Sequence, residues 1–337
     1  MSLKKVSPYG SWISPITSDL IASSGIGMGQ VVIADDDIYW NEVRPMENGR
    51  NVIVQYSKDK SLTDLTPPGF NARTRVHEYG GLCYAVHNGV LYFSNFADQR
   101  LYRISPGELP EAITPAQDYR YADGVVDADR MVMYCVREDH TGEGEAVNTL
   151  VMLDLTAGGE KPFDAGKVLI SGNNFYSNPR LSPKIQGNSR KIAWLTWNHP
   201  NLPWDGTELW VGEVLPDGSI GRSEKIAGGV SESIFQPEWS PDGTLYFVSD
   251  RTNWWNLYRW VNNEIEAVYP LEAEFGSPQW VFGMSTYAFE SPGRMICSYT
   301  RGGESKLAVL NTSSKKMELL TLPFTEYYRI TASPGQA

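Results

Sequence analysis

A short pattern recurs six times along this 337-residue chain, and the recurrence limits the fold more than any other feature. Each copy is a polar or Gly/Pro turn followed by an apolar-aromatic strand. The copies read DDDIYWNE from Asp35, HNGVLYFSN from His87, DADRMVMYC from Asp127, NSRKIAWLT from Asn188, PDGTLYFVSD from Pro241 and SPGRMICSYT from Ser291. Aligned on their first strand residue (Ile38, Leu91, Met131, Ile192, Leu245 and Met295), they lie 53, 40, 61, 53 and 50 residues apart. A second strand follows each copy (NVIVQYS, RLYRIS, TLVMLDL, ELWVGEV, NLYRWV, KLAVLN), then a third segment that runs into a turn (TDLTP, EAITP, KVLISG, EKIAGG, EAVYPL, MELLTL). Several units open with an extra short strand, as in SNPRLSP from Ser177, FQPEWSP from Phe235 and GSPQWVFG from Gly276.

Four short strands per ~50 residues is the blade of a β-propeller. A lone blade cannot bury both faces, whereas packing against neighbours around an axis does so and gives the strand Trp, Tyr and Phe residues a place. Helical solenoids are excluded because no segment holds a sustained 3.6-residue apolar period. The expected fold class is all-β: a β-propeller of four-stranded blades, with six recognisable repeats plus the start of a seventh. The blades are expected over about 27–73, 74–117, 118–172, 173–230, 231–275 and 276–322. In the tail, Ser333-Pro334-Gly335 repeats the turn Ser291-Pro292-Gly293, so Ala337 stands where Met295 stands in the sixth copy. Residues 323–337 are therefore expected to begin a truncated seventh blade. The N-terminal segment 1–26, or the stretch from Trp12 to Gly29, is expected to lend a strand to ring closure. An open ring would expose blade faces and strand edges and favour self-association.

The formal charge of −11 gives no electrostatic footprint for a phosphate backbone, which excludes nucleic acid as a partner. Cys83, Cys135 and Cys297 are odd in number, widely spaced and set in apolar strands, as reduced core thiols are. The start MSLKKVSPYG has no apolar signal core, and no apolar run reaches membrane-spanning length. A cytoplasmic location and no membrane partner are the expectations.

Four segments resemble a known family: TRVHEYGG (Thr74 to Gly81), the SPIT–DLI start (Ser14 to Ile21), WNHPNLPWDGTELW (Trp197 to Trp210) and WSPDGTLYFVSDRTNWWNLYRW (Trp239 to Trp260). They are similar to the N-terminal propeller of bacterial serine peptidases of the prolyl oligopeptidase family, of the dipeptidyl or acylaminoacyl peptidase type. The resemblance runs from about Ser7 to Ala337. It implies a propeller of seven or more blades that precedes an α/β-hydrolase domain, caps its active site, restricts entry to short peptides and contacts the substrate N-terminus. The hydrolase domain would lie beyond Ala337. The fourth unit departs from the pattern: a Ser-Pro-Asp-Gly turn is replaced by Ser182-Pro183-Lys184-Ile185-Gln186-Gly187-Asn188, which implies a longer, irregular turn.

Catalysis of the serine-hydrolase kind needs a G-x-S-x-G elbow. The nearest match, Gly283-Met284-Ser285-Thr286-Tyr287, fails at the last glycine and lies in a strand pattern. His77, His87, His140 and His199 form no metal-binding spacing, so neither a metal nor a cofactor is expected. His199, beside Pro200, reads more as loop packing than as cavity lining. GIGMGQ (Gly25 to Gln30) precedes a strand, where no helix N-terminus would hold an anion.

Two clusters are candidates for substrate binding. Arg75, Glu78 and Tyr79, with His77, lie between the first two blades, where a carboxylate would take a peptide α-ammonium group. The favoured alternative is that Arg75 and Glu78 pair or cap backbone groups. Arg251 with Trp254 and Trp255 sets aromatic faces beside a guanidinium, although a Trp pair at a blade corner more often packs. The expected function is a non-catalytic gating propeller acting on peptide substrates, with the family's hydrolase domain as partner. A free-standing propeller that binds protein or ligand, and a propeller-channel hydrolase of a sugar or lactone, are the alternatives.

Overall fold

The computed structural model describes residues 5–22, 25–34, 36–184, 189–327 and 329–337. Asp35 of the first turn and Ile185–Asn188 of the irregular fourth turn lie outside the described residues. Six four-stranded antiparallel sheets follow one another along the chain. Blade 1 holds β1 (Gly27–Ala34), β2 (Asp37–Arg44), β3 (Arg50–Tyr56) and β4 (Leu62–Asp64). Blade 2 holds β5 (Tyr84–His87), β6 (Val90–Ser94), β7 (Leu101–Ile104) and β8 (Glu111–Ala112). Blade 3 is β9 (Tyr119–Asp127), β10 (Val132–Asp139), β11 (Val147–Asp154) and β12 (Lys167–Ile170). Blade 4 is β13 (Phe175–Leu181), β14 (Arg190–Trp197), β15 (Glu208–Val214) and β16 (Ile220–Gly228). Blade 5 is β17 (Ile234–Trp239), β18 (Leu245–Ser249), β19 (Asn256–Val261) and β20 (Glu264–Ala267). Blade 6 is β21 (Tyr287–Ser291), β22 (Arg294–Arg301), β23 (Glu304–Asn311) and β24 (Lys316–Leu320). The six recurring turn–strand copies are the second strands of these sheets. The Asn88-Gly89 turn of the second copy has φ of 49° and 73°, the left-handed pair that a two-residue hairpin needs.

Alternation within each strand sends apolar side chains to both faces, and five hydrophobic cores result, one between each successive pair of blades. Tyr39 and Ile53 meet Tyr84 and Phe93 between blades 1 and 2. Phe235 and Val248 meet Tyr287 and Cys297 between blades 5 and 6. Among the described residues no sixth core joins blade 6 to blade 1. The three cysteines are free and buried in these cores.

Polar clasps supplement the cores. The innermost strands β1, β9, β13 and β17 each carry a bulge, at Gln30, Asp123, Asn178 and Gln236, whose φ values are 53°, 56°, 53° and 46°. A bulge re-aims its side chain. Gln30 Oε1 accepts the Cys83 amide at 3.3 Å, Asp123 Oδ2 accepts the Asn178 amide at 2.5 Å, and Gln236 Oε1 accepts the Thr286 amide at 2.7 Å. Each reaches the next blade. Tyrosine hydroxyls answer in the other direction, Tyr84 onto the Gln30 carbonyl and Tyr287 onto the Gln236 carbonyl. Asp123, fully buried, also pairs with Arg180 at 2.8 Å, so its charge is compensated.

Two expectations are corrected. The segment from Gly276 forms no opening strand. Its residues cross to blade 2, where the Phe282 amide donates to the Gly80 carbonyl at 2.9 Å and Phe282 bridges Gly81 in parallel. Met284–Thr286 accordingly precede β21 rather than lying in a strand. Among the described residues of segment 1–26 there is no strand. Residues 5–22 contain a single short helix, α1 (Ser18–Ala22), and Gly27–Ala34 is blade 1's own innermost strand. At the other end, Arg329 and Ile330 donate to the Ser285 carbonyl, and Ser333 and Gln336 exchange two backbone hydrogen bonds across the Pro334-Gly335 turn.

Candidate functional site

Connections between blades and the loops joining second to third strands bound a cavity of about 580 Å³. His77–Gly80 come from the blade 1–2 connection, Glu138–Asn148 from the ends of β10 and β11 and the loop between them, Trp197–Trp204 from the end of β14 and the loop after it, and Gln279–Phe282 from the blade 5–6 connection. The volume suits a ligand of a few residues.

The His77 loop is held by its own backbone. The Glu78 amide donates to the Arg75 carbonyl at 2.8 Å and the Gly80 amide to the Val76 carbonyl at 3.0 Å. His77 and Glu78 both take left-handed φ, 52° and 63°. Gly81 lets the crossing segment approach, since a Cβ there would collide with the backbone N and O of Phe282. Aromatic rings form the wall. The His77 ring lies 5.2, 5.6 and 4.8 Å from those of Phe175, Trp197 and Phe282. Trp280 lies 4.5 Å from Trp204 and 5.8 Å, edge-on, from Tyr79.

Carboxylates are set against this wall. Glu138 is buried; its Oε1 accepts the His77 amide at 2.7 Å, and its Oε2 lies 3.0 Å from His140 Nε2 and 3.6 Å from Arg120. Glu78 and Glu145 are largely exposed, Glu78 at 3.3 Å from Arg120 and Glu145 at 3.3 Å from His199. His77 Nε2 faces Asn148 Oδ1 at 3.2 Å. Burial pushes the His77 imidazole down to about 4, only partly offset by that hydrogen bond, so the ring is neutral near pH 7. Among the described residues no three His, Cys, Asp or Glu side chains gather as a metal cage.

Of the residues singled out from sequence, Glu78 and Tyr79 line the cavity. Arg75 sits beside it, its guanidinium 5.5 Å from the Phe96 ring centroid. The expected Arg75–Glu78 pair does not form, because Arg120 of blade 3 reaches Glu78 and also donates to the Arg75 carbonyl at 3.3 Å. Arg251, Trp254 and Trp255 lie at the blade 5 corner and are not brought to the cavity. Arg251 pairs with Glu232 at 2.8 Å and stacks on Tyr258. Trp255 packs on the blade 5–6 core, and Trp254 is partly exposed. His199 does line the cavity, against the loop-packing reading. Sequence reasoning missed Glu138, Asn148, Phe175, Trp204, Trp280 and Phe282. The available signal was aromatic residues in Pro-containing loops, where no blade face needs them.

No protein-family model and no curated protein matches the chain. Solved structures do. A puromycin-hydrolyzing peptidase of Mycobacterium tuberculosis is 34% identical with a TM-score of 0.87, over 98% of this chain and 52% of its own. A puromycin hydrolase, solved as a mutant complexed with PGG, is 34% identical with a TM-score of 0.87, over 97% of this chain and 52% of its own. Prolyl oligopeptidase B from Galerina marginata, at 11% identity and a TM-score of 0.60, shares the fold over 90% of this chain. The chain spans about half the length of the peptidases it matches at 34%. Blade architecture and similarity agree: the chain is a β-propeller of the prolyl oligopeptidase family of peptidases.

Proposed function

We propose that this chain is the substrate-access propeller of a serine peptidase, that it cleaves nothing by itself, and that it binds the N-terminal part of short peptides for a hydrolase domain of the same family. The observation that carries this reading is the aromatic-walled cavity with Glu78, Glu138 and Glu145 in its lining and no lysine or arginine there. Three carboxylates against the single guanidinium of Arg120, which reaches Glu78 and Glu138, leave a surplus of negative charge that favours a peptide's α-ammonium group, and the aromatic rings favour an apolar first side chain beside it. This chemistry supports free-amine peptides over N-acylated ones, and so a dipeptidyl or aminopeptidase type over an acylaminoacyl type. The similarity to puromycin-hydrolyzing enzymes supports the same class. Val6, Tyr9, Trp12 and Ile13 are largely exposed and offer apolar surface to the hydrolase domain.

The test is calorimetric titration of the chain with Phe-Gly-Gly and with its N-acetyl derivative. Acetylation is expected to weaken binding by on the order of tenfold or more, the worth of a charged hydrogen bond, and Glu78→Gln to weaken only the free-amine peptide. Equal binding of the two peptides would refute the carboxylate reading. Turnover of a chromogenic aminoacyl substrate by this chain alone would refute the non-catalytic one.

A further inference from the structure

A second pocket of about 250 Å³ lies beside blades 1 and 2 and shares the wall formed by Tyr79 and Val281 with the aromatic-walled cavity. The two chambers differ in charge. The larger is lined by three glutamates and no Lys or Arg, the smaller by Arg73 and Arg329 and no Asp or Glu. In a chain with 40 acidic and 29 basic residues, two arginines in the lining of a recess free of carboxylates are an unbalanced local charge. Most arginines here are tied to Asp or Glu; these two have no such partner among the described residues. Arg73 lies 5.0 Å from the Phe96 ring centroid, and Arg329 rests against β1, its Nη1 2.7 Å from where a Cβ on Gly29 would stand. Any side chain at position 29 would displace that guanidinium.

A second observation points to a ligand. Asn41, which lines the same pocket, is buried, and its Oδ1 has no hydrogen-bond partner. Its Nδ2 is committed to the Ala72 carbonyl at 3.1 Å, so the free atom is an acceptor. A recess with cationic donors and one idle acceptor matches a group that carries both a carboxylate and an N–H. The last residue of a peptide is such a group.

We propose that the smaller pocket binds the C-terminal carboxylate of a short peptide whose N-terminal end occupies the aromatic cavity. Arg73 and Arg329 take the carboxylate through charge-assisted hydrogen bonds, and Asn41 Oδ1 accepts the N–H of the terminal peptide bond. This rests on the peptide-binding reading above and deepens it. Both ends of the ligand are then read by opposite charges, and the adjoining chambers select for peptides short enough to satisfy both.

The experiment titrates the full chain with Phe-Gly-Gly, its C-terminal amide and its N-acetyl derivative, by calorimetry and by tryptophan emission from Trp197, Trp204 and Trp280. Amidation is expected to weaken binding by on the order of tenfold or more. Arg329→Gln should weaken the free acid to the level of the amide and leave the amide unchanged. The acid–amide comparison uses the wild-type chain, so a misfolded variant cannot mimic the result. Equal binding of acid and amide, with acetylation still harmful, would overturn the second pocket and leave the N-terminal reading standing. Absence of binding by any of the three would overturn both. Binding of Phe-Gly-Asp-amide as tightly as the free acid would move the anion to a side chain and overturn the terminal assignment.

Discussion

Replacing Gln236 with leucine removes the clasp between blades 5 and 6 while keeping the side-chain volume. In the structure, Gln236 Oε1 accepts the Thr286 amide at 2.7 Å and Nε2 donates to the Tyr287 carbonyl at 2.7 Å. These groups stand at and just before the start of β21, on its free inner edge. Gln236 and Tyr287 are buried, so water does not replace the lost partner. The buried Tyr287 carbonyl left unsatisfied at about 1–3 kcal/mol, with a smaller share from the half-buried Thr286 amide, implies a loss of roughly 2–4 kcal/mol. The cavity contribution is small because leucine fills the space, and the left-handed backbone at φ 46° is already borne by a non-glycine residue. Gln30, the matching residue of blade 1, provides the internal comparison. It accepts the Cys83 amide at 3.3 Å, a longer bond, so Gln30→Leu should cost about 1–2 kcal/mol. Urea unfolding followed by tryptophan emission and by far-ultraviolet circular dichroism measures both. A Gln236→Leu loss below about 1 kcal/mol, or the reverse order of the two variants, would refute the clasp argument.

Acid should loosen the cavity through His77. Its folded-state pKa of about 4 lies below the unfolded value, so its contribution is complete above about pH 6.5 and fades as pH falls toward 4, up to about 3 kcal/mol in all. His77→Gln should flatten that limb of the stability–pH curve, and an unchanged slope would exclude His77 as its source. Gly81→Ala should push the 279–282 segment off blade 2 and abolish peptide binding; φ of 100° at that residue adds backbone strain. Retained affinity in a titration with Phe-Gly-Gly would show that the crossing segment does not shape the cavity. With no core between blades 6 and 1 among the described residues and Met28 of β1 exposed, the chain should show concentration-dependent self-association in analytical ultracentrifugation; a single monomeric species throughout would contradict it.

The repeat was legible because each copy combines a turn with an alternating strand, two signals that local backbone chemistry writes into adjacent residues. The segment from Gly276 was misread because Trp280 and Phe282 alternate with other apolar residues as strand residues do. Their task is to wall a cavity, and only the close approach at Gly81, four blades away along the chain, reveals it. Similarly, Arg75 and Glu78 invite a local pair, yet Arg120 arrives from another blade and takes the carboxylate. Glu78 and Tyr79 reach the cavity because they stand in a connection between blades. Glu138 was hidden at the end of β10, where a carboxylate reads as strand-end polarity until its buried partners are known. Which loops meet across the channel is a property of the ring, and no single stretch of sequence encodes it.

The bulge clasps all point the same way along the chain, from an earlier blade to a later one, across 53, 55 and 50 residues. Blades 1, 3 and 5 thus each present a hydrogen-bonding template for the blade to be made next, and none of these three has to wait for the C-terminal end. Assembly can proceed vectorially as the polypeptide leaves the ribosome, through loop closures of one repeat rather than of the entire chain. The contact between the first blade and the last would be the most non-local and the slowest to form. A propeller clasped in this forward direction can be stable along its arc before that contact exists.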